Sequence, residues 1–287
     1  MSFIQRFCKY LGLHTMNSTE QKSESIITPE IFELCKISAA KHGVIPDIHP
    51  DDFIFHFLLN HPNLQQKKDA VDYYFYDGAR SAKKLSDLLY SDLKFQQGEP
   101  LKMLEFASGY GCVTRHLSRE LPDITIISCD IHEEAIHFIK TKLETKTILS
   151  ESVPEKLKLN AEYDVVFALS FFSHMPESTW GRWIKTLFSG LKANGFLIFT
   201  THGMASAKLF GDPVISSHGF WFLPDSEQKD LTLNEYGTTV VTPEYVISEL
   251  YRQVRSPLVL YRYAFWWTHQ DLYIVQKLSC SEIKQEK

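Results

Sequence analysis

The stretch LKMLEFASGYG, residues 101–111, decides the fold class of this 287-residue chain. Its first half is apolar enough for a buried strand, which reaches Glu105 before the chain turns through Gly109 and Gly111. A helix follows, because apolar residues recur every four positions across 113–121. Glycines let a ligand approach the backbone closely, and the first amides of a helix can bind an anionic group. The stretch therefore predicts a strand–turn–helix unit that binds a nucleotide-like ligand.

Strands and helices alternate through the chain beyond this stretch. Apolar runs predict further strands at residues 124–129, 146–149, 163–169 and 196–200, with amphipathic helices between them. Such alternation is typical of a parallel sheet covered by helices. Two last strands, 258–265 and 271–277, are joined by so short a link that they must pair antiparallel.

The regions around this alternation predict additional parts. Helical patterns fill the stretch before Gly98, whereas the stretch after Gly203 is irregular and rich in glycine, proline and aromatic residues, which suits a lid over an acceptor. Within the N-terminal tail, residues 3–11 predict a short amphipathic helix that either packs on its own domain or contacts a membrane surface or a partner. The predicted domains are a flexible tail at 1–27, a helical cap at 28–97, and a domain at 98–287 with a substrate-lid insertion at about 203–241.

Composition narrows the class of function. With a net charge of −5, the chain has no broad basic surface of the kind that binds nucleic acid. Its five cysteines are odd in number and lack Cys-x-x-Cys spacing, which argues against a disulfide framework and favours a reducing compartment, the cytoplasm. No apolar run approaches the ~20 residues of a membrane span, and the N-terminus lacks the apolar core of a signal peptide.

A carboxylate four residues ahead of a Gly-x-Gly, as at Glu105 and Gly109, resembles the first motif of class I S-adenosylmethionine (AdoMet)-dependent methyltransferases. An acidic residue at the end of the second strand, where Asp130 stands, suits the ribose hydroxyls. The resemblance implies a Rossmann-like, doubly wound α/β sheet with a C-terminal antiparallel hairpin, AdoMet as the cofactor and S-adenosylhomocysteine as its product. A nicotinamide-dependent dehydrogenase is disfavoured, because Thr114 stands at the third glycine of its Gly-x-Gly-x-x-Gly motif.

Cofactor contacts are expected in the loops at the carboxyl ends of the strands and on the helix before the first strand. The predicted cofactor-binding residues are Tyr74, Arg80, Glu105, Ala107, Gly109, Gly111, Asp130, Ile131, Glu151, Ser152, Ser170 and Phe171. Capping of the next helix is the alternative role for Asp130. Core packing is the alternative for Tyr74, solvation is the alternative for Arg80, and Glu151 and Ser152 belong to a loop that is otherwise simply exposed.

Three histidines are the candidate catalytic bases. The segment after the strand at 163–169, Ser-Phe-Phe-Ser, lacks the Pro-Pro-Tyr motif of amide methylation, the Pro-Cys of cytosine methylation and the Asp of metal-dependent catechol-type enzymes. We therefore predict no metal site. The candidates are His174, His202 and His218. Packing against the following helix is the alternative for His174, and plain exposure is the alternative for His218.

The resemblance implies a function without identifying the acceptor. We expect methyl transfer from AdoMet to an oxygen or nitrogen atom of a small-molecule or glycan-type acceptor, because a helical cap and a long insertion favour an enclosed site. A hydroxyl acceptor benefits from a base that takes its proton. The alternative from another class is a catalytically silent AdoMet-binding or scaffold protein.

Overall fold

The computed structural model describes residues 27–225, 231–232 and 235–279. The predicted tail at 1–27, apart from Ile27, and its amphipathic segment at 3–11 lie outside the described residues. The chain forms two compact units: an N-terminal unit of the described residues up to Pro100 with Ser108–Ile148, and a C-terminal unit of Leu101–Ala107 with the residues from Leu149 onward. The domain boundaries expected from the sequence remain predictions.

Helices and strands alternate along most of the described chain. The helices are α1 (Pro29–His42), α2 (Phe53–Leu59), α3 (Lys67–Asp87), α4 (Thr114–Glu120), α5 (Glu133–Lys142), α6 (Glu177–Ser189), α7 (Met204–Leu209) and α8 (Pro243–Gln253). The strands are β1 (Leu101–Phe106), β2 (Ile124–Asp130), β3 (Lys146–Leu149), β4 (Tyr163–Ala168), β5 (Leu191–His202), β6 (Phe220–Leu223), β7 (Thr238–Val241), β8 (Leu258–Trp266) and β9 (Gln270–Gln276).

Local capping explains where the first helices of the N-terminal unit begin. The Thr28 hydroxyl accepts from the amide of Ile31 at 3.3 Å ahead of α1, and the Asp52 carboxylate accepts from the amide of Phe55 at 3.0 Å ahead of α2. Helix α3 packs against both α1 and α2. Their shared apolar core includes Tyr74.

Seven strands form one sheet in the order β3-β2-β1-β4-β5-β9-β8. Within the C-terminal unit, β1 pairs with β4 and β4 with β5 in parallel, whereas β9 pairs antiparallel with both β5 and β8. This topology confirms the predicted Rossmann-like α/β sheet with its C-terminal antiparallel hairpin. No helix among the described residues is long and apolar enough to cross a bilayer.

The region after Gly203 is more regular than the sequence predicted. It contains α7 and a two-stranded antiparallel ribbon, in which Phe220 of β6 faces Val241 of β7. The expectation of an irregular segment was wrong because each ribbon strand has only four residues, and its partner lies more than ten residues away. Such a pairing leaves almost no local periodicity in the sequence.

Candidate functional site

The glycine loop, residues 108–113, has the backbone conformation that the motif requires. Gly109 has a φ of 53° and Gly111 a φ of 81°, both in the left-handed region that glycine favours. A Cβ at Gly109 would meet no atom within 4 Å, so this side of the loop is open to a ligand. A Cβ at Gly111 would lie 2.5 Å from the Leu143 side chain, so this glycine permits close packing instead.

Asp130, the last residue of β2, is bonded directly to the glycine loop. Its Oδ2 accepts from the amide of Gly109 at 2.8 Å, and its Oδ1 accepts from the amide of His132 at 3.0 Å. The alternative role, capping α5, is not observed, because the N-cap residue of that helix is His132 and no side chain caps it. Each carboxylate oxygen accepts about two hydrogen bonds, so Oδ2 can receive a hydroxyl donor, and a hydroxyl on Oδ1 would replace Nδ1 of His132, which lies 2.8 Å away.

A buried polar network, which we call the Arg115 brace, supports the glycine loop from behind. Arg115 donates through Nε to the Gly111 carbonyl at 3.1 Å and through Nη1 to the carbonyls of Ile45 at 3.0 Å and Asp47 at 2.9 Å. Its Nη2 donates to the Tyr74 hydroxyl at 3.3 Å. The brace thus connects the loop to the segment between α1 and α2.

Tyr74 connects the Arg115 brace to a buried acid, Asp52. Its hydroxyl donates to Asp52 Oδ2 at 2.6 Å, and its side chain is fully buried. Burial raises the pKa of Asp52, while the hydrogen bond from Tyr74 and the charge of Arg115 act in the opposite direction. These contacts match the alternative of core packing for Tyr74, and a direct contact with the cofactor remains a prediction.

Two further contacts bring α3 and its neighbours close to the glycine loop. Tyr110 stacks on His49, with ring centroids 4.6 Å apart and 17° between the planes. Helix α3 approaches the loop so closely that a Cβ at Gly78 would lie 2.2 Å from the carbonyl oxygen of Cys112. Because the contact is with backbone, a larger residue at Gly78 would have to displace the loop.

The remaining predicted cofactor residues of the N-terminal unit have weaker local support. Arg80 is half-exposed and lies 3.7 Å from Asp77 Oδ1, which fits the alternative of a solvated side chain. Ile131 is partly buried next to Asp130. Their roles as cofactor contacts remain predictions.

In the C-terminal unit, four of the predicted residues, Glu105, Ala107, Ser170 and Phe171, lie near the carboxyl ends of β1 and β4. Ala107 has a φ of 57° and Ser170 a φ of 58°, a conformation that is uncommon outside glycine and often marks functional sites. Glu105 is buried within β1. Glu151 and Ser152 are exposed, as their alternative reading predicted.

Ser170 belongs to a hydrogen-bonded junction of three strand ends. Its amide donates to Thr200 Oγ1 at 2.8 Å, and its hydroxyl accepts from Gln270 Nε2 at 2.8 Å. Thr200 in turn donates to Gln270 Oε1 at 2.7 Å. The neighbouring Phe171 packs edge-on against Phe106, with ring centroids 4.8 Å apart. A role for Gln270 at this site was not predicted from the sequence.

Two of the three candidate histidines come together, and a third histidine joins them. The ring centroids of His174 and His202 are 5.8 Å apart, and those of His202 and His269 are also 5.8 Å apart. We call these three residues the histidine row. His269 was missed because it lies in the short link between β8 and β9. His218 is separate: it is exposed, and its Nε2 lies 2.8 Å from Glu177 Oε1.

Backbone carbonyls and burial fix the protonation of the histidine row. Nδ1 of His174 lies 2.9 Å from the Gly237 carbonyl, and Nδ1 of His202 lies 3.2 Å from the Thr239 carbonyl. A carbonyl only accepts, so Nδ1 of His174 carries the proton and acts as the donor, whereas His202 has the carbonyls of both Thr239 and Ser173 as partners. Burial lowers the pKa of His174 to about 4 and the pKa of His202 well below its usual value. Both rings are therefore neutral at pH 7.

Acid is expected to destabilise the protein between pH 6.5 and pH 4. Histidines titrate near pH 6.5 in the unfolded chain, but burial lowers the pKa of His174 to about 4 and that of His116 to about 3. Within this window the unfolded chain binds more protons, so the free energy of unfolding falls as the pH falls, by up to about 1.4 kcal/mol per pH unit and histidine. Urea unfolding at pH 7, 6 and 5 measures the slope.

The variant His174→Asn should reduce this pH dependence, because it removes one of the buried histidines. An unfolding free energy that stays constant from pH 7 to pH 5 in the unmodified protein would contradict the burial of neutral histidines.

Comparisons with known proteins agree with this fold. Residues 104–197 match the family model described as a methyltransferase domain. Two similar curated proteins are malonyl-[acyl-carrier protein] O-methyltransferases: the one from Bacillus anthracis is 28% identical over 150 residues and the one from Bacillus cereus 30% over 152 residues. Each match covers 51% of this chain and 55% of the relative. The chain therefore spans about half the length of the curated relatives it matches.

Solved structures show the same fold. The magnesium protoporphyrin IX methyltransferase from Synechocystis PCC 6803, with S-adenosylhomocysteine bound, superposes with a TM-score of 0.50 at 13% identity, covering 72% of this chain and 87% of that one. The strand order, the glycine loop and the position of Asp130 define a Rossmann-like fold of the methyltransferase type. Together with the family match over residues 104–197, they make this part of the chain similar to the class I AdoMet-dependent methyltransferases.

The residues of the N-terminal unit fit the cofactor of this class. The open side of Gly109 leaves room for a ligand against the loop backbone, and Asp130 offers carboxylate oxygens at the end of β2. No metal-binding cluster of histidine, cysteine or acidic side chains occurs in the described ranges. The prediction of a metal-free site stays a prediction.

Proposed function

We propose that this protein transfers a methyl group from AdoMet to an oxygen atom of a small acceptor. The observation that carries the proposal is the hydrogen bond between Asp130 and the Gly109 amide, which fixes a carboxylate beside an open glycine loop within the matched methyltransferase domain. The two Bacillus relatives, both named O-methyltransferases, support oxygen over nitrogen as the target atom. Neither relative supports a glycan-type acceptor, which stays a prediction.

The side chains of the N-terminal unit would bind and orient the cofactor. When bound, AdoMet supplies an activated methyl group on a sulfonium. Asp130 would accept hydrogen bonds from both ribose hydroxyls, and its bond to Gly109 holds the loop in the left-handed conformation. The Arg115 brace fixes the far side of the loop through the Gly111 carbonyl. Fixed geometry matters because methyl transfer needs in-line alignment more than it needs chemical activation.

The side chains of the C-terminal unit would orient the acceptor. The ends of β4 and β5 carry Ser170, His174 and His202, and ligands of open α/β sheets bind outside the carboxyl ends of the strands. His174 has its Nδ1 proton committed to Gly237, so its Nε2 carries the lone pair that a base requires. His202 has the carbonyls of Thr239 and Ser173 as its hydrogen-bond partners.

Purified protein is expected to bind AdoMet at a single site, with a dissociation constant in the range of about 1 μM to 1 mM that is common for enzyme substrates. S-adenosylhomocysteine should compete for this site, because the product keeps the ribose and the amino-acid portion. Isothermal titration calorimetry measures both. Absence of binding would overturn the proposed function and the scaffold alternative together.

Transfer is tested separately from binding. The protein is incubated with methyl-labelled AdoMet and a metabolite extract of its source cells, and the labelled product is identified by mass spectrometry. A product that carries the label on oxygen supports the proposal. Binding of AdoMet without any labelled product would favour the catalytically silent alternative.

A further inference from the structure

The histidine row lies among aromatic side chains in the C-terminal unit. His174 stacks on Tyr236, with ring centroids 4.7 Å apart and 6° between the planes. His202 lies edge-on to Phe210 at 5.0 Å, and Phe210 in turn stacks on Trp221 at 6.5 Å. These rings make the surroundings of the row apolar and able to stack on a flat or sugar-like molecule.

The hydrogen bonds of the row determine what it offers to a ligand. Ser206 donates its hydroxyl proton to the carbonyl of His269 at 2.7 Å, so its oxygen must accept from Nδ1 of His269 at 3.0 Å. His174 likewise uses Nδ1 as a donor to the Gly237 carbonyl, whereas His202 has two carbonyl partners, Thr239 and Ser173. The neutral rings of His174 and His269 therefore have their lone pairs on Nε2. The row offers acceptors, which match O–H donors.

The charge state of the histidine row also favours a neutral hydroxyl as the ligand. Burial is the largest influence on all three histidines and lowers the pKa of each. A carboxylate that leaves water needs cations or N–H donors, and lone pairs on Nε2 would repel it. A neutral hydroxyl meets no such penalty.

We propose, as a refinement that rests on the function proposed above, that the histidine row selects an acceptor with a neutral hydroxyl group, phenolic or alcoholic, and that His174 takes its proton. As the new oxygen–carbon bond forms and the carbon–sulfur bond of the sulfonium donor breaks, the hydroxyl proton passes to Nε2 of His174. The products are a methyl ether, a thioether and an imidazolium that releases its proton to water. Alkylation makes the oxygen strongly acidic, so even a weakly basic imidazole accepts the proton.

This selection differs from the chemistry named for the Bacillus relatives, whose malonyl substrate carries a carboxylate. A carboxylate is already a nucleophile and gains nothing from a base. Methylation of a hydroxyl gives an ether, whereas methylation of a carboxylate gives an ester. The chemical identity of the product therefore distinguishes a hydroxyl acceptor from a carboxylate acceptor.

The stability of the labelled product in alkali tests the proposal. Product from methyl-labelled AdoMet and the source-cell extract is treated with mild alkali, which hydrolyses methyl esters to volatile methanol but leaves ethers intact. We expect the label to survive alkali and to be released by hydriodic acid as methyl iodide. Volatile labelled methanol, or label on nitrogen, would overturn the hydroxyl selection while leaving methyl transfer intact. Mass spectrometry of the ether distinguishes phenol from alcohol.

The variant His174→Asn provides the second measurement. Asparagine keeps an N–H close to the position of Nδ1, and so the bond to Gly237, but it has no counterpart of Nε2. We expect kcat to fall about 100- to 1,000-fold with the dissociation constant for AdoMet unchanged. The matched control is His137→Asn, on the exposed side of α5. An unchanged kcat in His174→Asn would overturn the role of His174 as the proton acceptor.

Discussion

Replacing Asp130 with alanine is expected to weaken AdoMet binding at least ~100-fold, because two charge-assisted hydrogen bonds to the ribose contribute about 1.5–3 kcal/mol each. The same change removes the acceptor for the Gly109 amide, at 2.8 Å in the intact protein, so the loop also loses its fixed conformation. Isothermal titration calorimetry with AdoMet measures the loss, and Asp130→Asn should recover part of the affinity because one carbonyl oxygen remains.

The matched control for this prediction is Asp123→Ala. Asp123 stands just before the other end of β2, where it is exposed and accepts from the amide of Gly98 at 3.0 Å. Its loss should leave AdoMet affinity within about two-fold, as expected for a surface substitution. Unchanged affinity in Asp130→Ala would remove the ribose assignment and leave Asp130 only its contacts to Gly109 and His132.

A deoxyribose analogue separates the two effects of Asp130. The intact protein should prefer AdoMet over its 2′-deoxy analogue, since the analogue cannot make one of the two hydrogen bonds. In Asp130→Ala this preference should disappear if the carboxylate contacts the ribose. If it persists, Asp130 acts only by ordering the glycine loop.

Features that depend only on residues close together in the chain could be predicted from the sequence. The glycine loop and Asp130 lie within thirty residues, and both follow predicted strands, so their spacing alone indicated a common site. The closing hairpin was equally readable because only a short link separates its strands. The structure confirms the resulting α/β topology.

Features that depend on which side of an element faces the core were harder to predict. The run Tyr73-Tyr74-Phe75-Tyr76 is aromatic throughout, so its composition does not distinguish buried rings from exposed ones. Helix α3 buries Tyr74 and Phe75 fully, while Tyr73 is 38% and Tyr76 51% exposed. The helical period could have distinguished the two buried rings from the two exposed ones only if the side of the helix that faces the core had been known.

The residues missed at the candidate site meet through long-range pairing. Gln270 reaches Ser170 across 100 positions of sequence, because β5 and β9 pair with His202 opposite Gln270. The available signal was the polar group His269-Gln270-Asp271 at the start of a strand that otherwise is apolar. Nothing local, however, indicated that β9 would pair with β5 and bring His269 beside His202.

The largest loss of stability is expected for Arg115→Met. Arg115 is buried and donates to three backbone carbonyls and to Tyr74, so its removal leaves several buried acceptors without their donor and Asp52 without its nearby positive charge. Removing one partner from such a buried charged network typically costs about 3–5 kcal/mol of unfolding free energy. Chemical denaturation at pH 7 measures the change.

The matched control for the Arg115 brace is Arg119→Met. Arg119 lies one turn further along α4, is exposed, and donates to the carbonyl of His42. Its loss should cost less than about 0.5 kcal/mol. Arg115→Lys restores the charge but not the planar fork that reaches several acceptors at once, so we expect it to recover only part of the stability.

We also expect the Arg115 brace to affect AdoMet binding, which an arginine with only a structural role would not do. Because Arg115 fixes the Gly111 carbonyl from behind, Arg115→Lys should bind AdoMet more weakly even at temperatures where it is fully folded. Tyr74→Phe keeps the ring but removes the hydroxyl between Arg115 and Asp52, and this should cost about 1–3 kcal/mol of stability. An Arg115→Met protein within about 0.5 kcal/mol of the original would contradict the brace. Folded Arg115→Lys with unchanged affinity would limit the brace to a stabilising role, because a loop held only by Asp130 would then be sufficient for the cofactor.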